Sequence, residues 1–228
     1  MRSENEPGGQ PPRTEGQAEA KSGRGGRRSF IERARRAQIV EAAVEVLAAR
    51  GYARASLAQI AERAGVSKGV ISYHFAGKGE LIERLVEQVY ERIGEHVGAR
   101  LQQEAEPGTA RWIRVYVTAV AAYMQDHRTE LRALGEIFTN HRTSEGEPRY
   151  GAVTSEPLYQ RLEEVFRAGQ ESGAFRPFDT RVMAVSLQAS IDAMFGYWSA
   201  YPEHDLAAHA RELADLYVHA TAAPDRTQ

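Results

Sequence analysis

Residues 56–78 read SLAQIAERAGVSKGVISYHFAGK, and the interpretation of the whole chain starts from this stretch. Ser56 is a residue type that caps helix N-termini, and the apolar residues that follow it recur at helical spacing. Gly65 is typical of a helix end, because the turn out of a helix commonly requires a positive φ. A second apolar-periodic segment follows behind another serine. The spacing predicts a helix-turn-helix with helices near 57–64 and 68–75.

The composition is that of an ordinary globular chain, but its charge is distributed unevenly. The 228 residues are 42% hydrophobic and 26% charged, with a formal net charge of −2. Residues 21–78 hold 12 basic and 4 acidic side chains, which is a local net charge of +8. A basic segment beside an acidic remainder indicates that one face of the protein binds a polyanion and that the rest of the chain has another function.

Several functional classes find no support in the sequence. No apolar run approaches the ~20 residues of a membrane span, and the polar N-terminus lacks the apolar core of a signal peptide. The absence of cysteine excludes disulfides and thiolate metal sites, and it fits a cytoplasmic protein. No phosphate-binding glycine loop, nucleophile elbow or carboxylate-backed histidine pair occurs. We therefore expect no enzyme, no catalytic residue, no metal, no cofactor and no membrane partner.

Helical periodicity continues on both sides of the opening stretch, without strand-like alternation, so the predicted fold class is all-α. Residues 1–28 are a basic Gly/Pro-rich segment with almost nothing apolar to bury, and we expect them to be disordered. A helix over 79–103 would be roughly 37 Å long at 1.5 Å per residue. This exceeds the need of a small domain, so we interpret it as a connection to a second domain. The other predicted helices lie near 29–50, 109–126, 128–141, 156–172, 179–200 and 204–222.

The second helix of the opening stretch carries side chains suited to DNA. A recognition helix reads base edges from its N-terminal half. Lys68 and Ser72 can donate to base edges, and Gly69 permits a close approach. His74 and Lys78, at the point where the helix leaves the groove, suit phosphates. Ser56 offers a phosphate both a hydroxyl and a helix N-terminus. The candidate DNA contacts are Ser56, Ser67, Lys68, Gly69, Ser72, Tyr73, His74 and Lys78.

A longer pattern surrounds these residues. Its elements are Ile39-x3-Ala43, Gly51-Tyr52, Ser56-x3-Ile60-Ala61-x2-Ala64-Gly65-Val66-Ser67 and Tyr73-His74-Phe75-x2-Lys78-x2-Leu81. Residues 36–89 thereby resemble the DNA-binding domain of the TetR family of bacterial transcriptional regulators. The family usually has Tyr at the position of Ser72 and often Thr or Ser at that of Val70. Both positions lie on the recognition helix, so base preference does not follow from the resemblance.

The resemblance implies a three-helix DNA-binding domain over 29–78 and the connecting helix over 79–103. It also implies a larger helical domain over 104–222 for effector binding and dimerisation, before a disordered end over 223–228. The implied function is a homodimeric repressor that acts on a near-palindromic DNA operator and responds to a small apolar or aromatic effector. The last two predicted helices are apolar on more than one face, so we expect them to form the dimer interface.

Candidate effector contacts are the aromatic and methionine residues of the body, together with Asp192, a carboxylate that needs a partner in an apolar helix. They are Trp112, Tyr116, Tyr123, Met124, Phe138, Phe166, Met183, Asp192, Met194, Phe195 and Trp198. For each aromatic, the alternative is ordinary core packing, and for Asp192 it is an ion pair in the core or the dimer.

Other functions remain open. A transcriptional activator or a ligand-independent regulator would share every feature above. A helical protein or enzyme without DNA binding is a further alternative. It would be contradicted if changes in the recognition helix abolished specific DNA binding.

Overall fold

The computed structural model describes residues 16–224, with side chains from residue 30 onward. Over this range it contains nine helices and no β-strand, apart from two isolated bridges, so the all-α prediction is confirmed. The helices are α1 (Gly16–Arg50), α2 (Leu57–Arg63), α3 (Lys68–His74), α4 (Lys78–Glu104), α5 (Ala110–Asp126), α6 (Arg128–Asn140), α7 (Glu156–Glu171), α8 (Thr180–Ala200) and α9 (Leu206–Thr221).

The first helix is longer than predicted. It begins at Gly16 instead of Ser29, so the structure differs from the predicted disorder over residues 16–28. Extending an existing helix adds one hydrogen bond for each residue that is ordered, which is easier than starting a new helix. Residues 17–21 are also good helix formers. The predictions for the rest of this tail and for the C-terminal end fall on 1–15 and 225–228, outside the described residues.

Local capping defines the helix-turn-helix. The Ser56 side chain accepts a hydrogen bond from the Gln59 backbone, and the Gln59 side chain accepts one from the Ser56 backbone at 3.0 Å, forming a capping box. The Ser67 hydroxyl oxygen accepts from the backbone N–H of Val70 at 3.3 Å. Gly65 has φ +65°, a conformation that L side chains rarely adopt. Both helix starts and the turn between them are therefore set by nearby residues.

One apolar core joins the first four helices. Helix α1 packs against both α2 and α4, and α2 packs against α3. The side chains of Ile39, Leu47, Ile60, Ile71 and Phe75 are almost completely removed from solvent. Burial of such a side chain contributes about 1.5–3 kcal/mol to folding, so these contacts hold α3 on the domain.

Helix α5 is the centre of the C-terminal body and is buried on most of its surface, as its nearly continuous apolar sequence predicted. It packs mainly against α9 and α4, and also against α6 and α8, while α7 pairs with α8. Helix α1 additionally packs against α6, so the two domains share a contact surface besides α4. No helix in the described range is long and apolar enough to cross a membrane.

Candidate nucleic-acid interface and inner cleft

Helix α3 presents a continuous exposed face formed by Lys68, Gly69, Ser72 and Tyr73. At about 100° per residue, these four positions share one side of the helix, whereas Ile71 points into the core. The Tyr73 side chain is 70% exposed. In the part of the chain that the structure describes, no hydrogen bond engages the side chain of Lys68 or Ser72. The face therefore offers free donors to an external ligand.

The remaining candidate contacts border this face. Ser56 and Ser67 are exposed, but both hydroxyl oxygens accept the capping bonds, and the Ser56 hydroxyl also lies 3.2 Å from Gln59 Oε1. Of the two serines, Ser67 therefore keeps the more available hydroxyl proton. His74 is half-buried, and its ring meets the Tyr73 ring edge-on at 5.0 Å. Ser67 therefore lies at the N-terminal end of α3 and His74 at its C-terminal end.

Lys78 already has partners inside the protein. Its Nζ donates to the Tyr52 carbonyl at 2.6 Å and lies 4.1 Å from the centre of the Tyr52 ring. Desolvation by burial lowers the pKa of the Lys78 ammonium. An ammonium has three N–H donors, so two stay available for a phosphate. The phosphate contact stays a prediction, and the structure adds a second role, attachment of α4 to the turn after α1.

Arg36 fastens the end of α3 to its neighbours. Its guanidinium donates to the His74 carbonyl at 2.5 Å, lies 4.4 Å from the Phe75 ring centre and pairs with Glu80 at 3.3 Å. The backbone N–H of Ala76 also donates to Glu80, and these contacts lower the pKa of the Glu80 carboxyl. Arg36 therefore orients the recognition helix from behind instead of standing free for phosphates.

The turn after α1 meets the C-terminal body directly. The Tyr52 backbone N–H donates to Glu136 Oε2 at 3.0 Å, and the Tyr52 hydroxyl is hydrogen-bonded to His141 Nδ1 at 2.8 Å. Gly51 has φ +79°, and a Cβ there would lie 3.0 Å from Glu136. Burial lowers the pKa of His141, with the Arg149 charge as a second cause. Tyr52 is half-buried at the domain junction.

Ion pairs reinforce this junction. Arg92 of α4 pairs with Glu41 of α1 and, at 2.6 Å, with Glu130 of α6. Arg149 pairs with Glu83 at 2.6 Å, which ties the loop before α7 to α4. The N-terminal part of α4 is thus bound on both sides, to α1 and to the C-terminal body.

A series of ring contacts leads from the junction into the body. The His141 ring meets Tyr150 edge-on at 5.9 Å, Tyr150 lies 5.2 Å from Phe138, and Phe138 stacks on Tyr90 at 6.3 Å. Tyr90 belongs to α4 and is 44% exposed. Packed aromatic rings therefore extend continuously from Tyr52 to the middle of α4.

Tyr90 borders a polar space that we call the inner cleft, lined by Tyr90, Tyr116, Gln188 and Asp192. The Tyr116 hydroxyl donates to Gln188 Oε1 at 3.4 Å, and Gln188 Nε2 donates to Asp192 Oδ1 at 2.8 Å. Trp112 stacks on Tyr116 with ring centres 4.9 Å apart. Solvent reaches Tyr90 and Asp192, whereas Tyr116 is buried. Tyr90 and Asp192 therefore form the exposed side of this group of residues, and Tyr116 forms its buried side.

Protein atoms around the inner cleft perturb its titratable groups. Burial raises the pKa of Tyr90 to about 12, with the charge of Asp192 as the second cause. Burial and the same charge also raise the pKa of Tyr116. Burial raises the pKa of the Asp192 carboxyl, and the hydrogen bond from Gln188 opposes this effect.

The structure divides the predicted effector contacts instead of gathering them. Tyr123 donates to Glu130 at 2.7 Å and stacks on His127, away from the cleft. Phe166 clusters with Phe175 and Phe178 in another part of the core. Phe195 contacts Trp198, whose ring lies under the Arg128 guanidinium. Met124 and Met194 are buried, and Met183 is half-buried.

Sequence reasoning missed Tyr90, Gln188, Tyr150 and Tyr159 as neighbours of the cleft. Tyr90 continues a second i+4 series after Ile82 and Val86, and this signal could have found it. Tyr150, in the loop before α7, and Tyr159, in α7, have no such signal, because their positions depend on how α7 packs.

Residues 39–85 match the family model of bacterial regulatory proteins of the tetR family. Over 177 residues the chain is 32% identical to the HTH-type transcriptional regulator TtgR of Pseudomonas putida, covering 74% of this chain and 81% of TtgR. It is 30% identical over 184 residues to the HTH-type transcriptional regulator BetI 1 of Chromohalobacter salexigens, covering 81% of this chain and 88% of BetI 1.

Solved structures share the fold at lower identity. SmeT, the repressor of the Stenotrophomonas maltophilia multidrug efflux pump SmeDEF, superposes with a TM-score of 0.68 at 20% identity. The superposition covers 84% of this chain and 91% of SmeT. The chain therefore shares its fold with SmeT.

Proposed function

The chain belongs to the TetR family of bacterial regulatory proteins, and from this premise we propose that it is a ligand-responsive repressor that acts as a homodimer in the cytoplasm. Its relatives are helix-turn-helix transcriptional regulators. The observation that carries the proposal is the exposed face of α3, whose Lys68 and Ser72 donors have no partner in the described chain.

The DNA contacts follow from the two kinds of group at α3. Lys68, Ser72 and Tyr73 would enter a major groove and read base edges, which distinguishes one sequence from another. His74 and Lys78 would meet phosphates at the border of the groove, which adds affinity without sequence information. The basic charge of residues 21–78 supports the approach to DNA at low salt.

The proposed dimer interface is the apolar face of α8 and α9, which we define as Val182, Val185, Ala189, Ala193, Tyr197 and Leu216. All six are exposed, and the Leu216 side chain is 66% accessible. A hydrogen bond of 2.9 Å between the Ser190 and Tyr217 hydroxyls holds the two helices side by side. A two-fold dimer would present two α3 helices to half-sites one helical turn apart, about 34–36 Å, or at a longer spacing.

An effector in the inner cleft would act through α4. This helix lines the cleft with Tyr90 and joins the DNA-binding domain through Arg92 and Lys78. A ligand that prefers one orientation of α4 shifts the population toward that orientation in proportion to its differential affinity. If that orientation misaligns the two α3 helices, DNA is released.

The direct test is a gel shift and footprint of the purified full chain on the DNA upstream of its own gene. We expect a near-palindromic footprint of two half-sites, and loss of specific binding in the Lys68→Ala/Ser72→Ala variant. A monomer on a non-palindromic footprint would contradict the proposal. A reporter gene behind the same DNA separates repression, where deletion of the regulator raises expression, from activation, where deletion lowers it.

A further inference from the structure

We propose that the inner cleft selects an organic cation, a protonated or quaternary amine on an apolar or aromatic body, with Asp192 as its counter-ion. The inference rests on the proposed function only in treating the inner cleft as the effector site. It specifies the chemical class of that effector, which the family membership leaves open.

Three helices bring the necessary groups together. Helix α4 packs on α1, α5 and α6, whereas α8 packs on α7, α9 and α5, so α5 forms the floor between them. Tyr90 of α4 and Tyr116 of α5 both lie close enough to Asp192 of α8 to respond to its charge. Tyr150 and Tyr159 act electrostatically on Tyr90 in the same way. Tyr90 and Tyr116 therefore lie near one carboxylate, and Tyr150 and Tyr159 lie near Tyr90.

That carboxylate has no cationic partner in the part of the chain with described side chains. Some other carboxylates in the body are paired, for example Asp215 with Arg114 and Glu156 with Arg181. Asp192 receives only the neutral hydrogen bond from Gln188, at its Oδ1 atom. A carboxylate that loses hydration without gaining a counter-charge is destabilised. A bound cation would remove this penalty.

The Gln188 amide also fixes the direction of the carboxylate. Its oxygen accepts from Tyr116 and its nitrogen donates to Asp192 Oδ1, so both ends of the amide are engaged. Oδ2 of Asp192 has no hydrogen bond from the described residues and is left for a ligand. The stacked Tyr90 and Phe138 rings present aromatic surface nearby, which attracts cations through the ring quadrupole.

The same geometry rejects other ligands of similar size. An anion would meet the uncompensated charge of Asp192. A neutral apolar molecule would cover the carboxylate and remove its remaining water without replacing it, which costs free energy. Only a cation gains from both the carboxylate and the rings.

Isothermal titration calorimetry of the full chain without DNA tests this with two probes of the same shape, phenyltrimethylammonium and its neutral isostere tert-butylbenzene. We expect the cation to bind at least roughly tenfold more tightly, a difference of about 1.4 kcal/mol. Asp192→Asn should remove most of this preference while affinity for tert-butylbenzene is maintained. Asp126→Asn, the same change at the exposed end of α5, should leave both affinities unchanged.

Four results would overturn the inference. They are equal binding of the two probes, no cation binding at millimolar concentration, an unchanged preference in Asp192→Asn, and an equal loss in Asp126→Asn. Sedimentation of Asp192→Asn checks the competing role in the dimer, because a change in association state would assign the carboxylate to the subunit interface instead.

The outcome is separable from that of the proposed function. If the cation binds through Asp192 but does not release operator DNA, the ligand class stands and the regulatory role of the cleft fails. If a neutral compound releases operator DNA, ligand-responsive regulation stands and the cationic class fails.

Discussion

The exposed face of α3 and the inner cleft place their polar groups in opposite ways. On α3 the polar side chains point outward, and the caps that orient them come from residues three positions apart, such as Ser67 and Val70. In the cleft the polar groups come from three separate helices, α4, α5 and α8, as Tyr90, Tyr116 and Asp192 show. The first arrangement is local, whereas the second exists only while three helices keep their packing. We therefore expect that a ligand can alter the cleft without unfolding the proposed DNA-binding surface.

The largest expected effect comes from separating the two subunits, because one α3 face cannot occupy both half-sites. Ala193→Glu with Leu216→Glu would place like charges on the proposed dimer face. We expect a monomer by sedimentation and an operator affinity lower by at least about a hundredfold, since half of the specific contacts are lost. Val153→Glu, at a fully exposed loop position, is the matched control and should stay dimeric. A monomer that still binds the operator tightly would show that the α3 face acts alone.

The next effect separates base reading from phosphate binding within the α3 region. Replacement of Lys68 or Ser72 by Ala should cost about 1–3 kcal/mol on the operator and change which base is preferred opposite it. Lys78→Met should weaken binding to all sequences and reduce the salt slope by about 0.9. DNA binding measured by fluorescence anisotropy over a salt series distinguishes the base-reading variants from Lys78→Met. If Lys78→Met changes base preference with its salt slope intact, the assignment of roles is wrong.

A smaller effect is expected at the junction that joins the two regions. Tyr52→Phe removes the hydroxyl bonded to His141, which should lower the free energy of unfolding by about 1 kcal/mol. We expect the α3 face to keep its DNA affinity, while the release of DNA by an effector becomes weaker. A double-mutant cycle with His141→Ala, followed by chemical denaturation and operator release, measures the coupling. Additive effects of the two changes would contradict a role for this contact in transmission.

The smallest effect concerns the unliganded cleft. Burial raises the pKa of Asp192 in the folded protein, so its ionised form is disfavoured by folding. The penalty is present above the folded pKa and disappears as the pH falls below the unfolded value of about 3.9. Asp192→Asn should therefore raise the free energy of unfolding at neutral pH by less than about 0.5 kcal/mol, with a higher melting temperature, and lose this advantage in acid. Thermal unfolding at both pH values checks the sign, and a gain that persists in acid would contradict the desolvated carboxylate.

The sequence predicted the helices closely wherever capping and periodicity act between neighbours. Thus α5 was expected near 109–126 and spans Ala110–Asp126, and α8 was expected near 179–200 and spans Thr180–Ala200. The start of α1 was wrong, since the helix begins at Gly16 and continues through Gly23, Gly25 and Gly26 although glycine disfavours a helix interior. Aromatic content was a poor guide to the cleft, because a ring such as Phe166 in the core and one such as Tyr90 at an opening look alike in sequence.

Short-range chemistry in the sequence was sufficient for the all-α class, the helix-turn-helix and the outward donors of α3. These features depend on a serine cap, a glycine with positive φ and an apolar stripe. Each acts over a few residues, so its effect on the local structure does not depend on distant parts of the chain. Long-range packing alone revealed that Lys78 and Arg36 are bound inside the protein, that Tyr52 touches His141, and that Asp192 faces tyrosines without a cation. Those contacts join residues tens of positions apart, and they arise only from the way in which whole helices bury their apolar faces together.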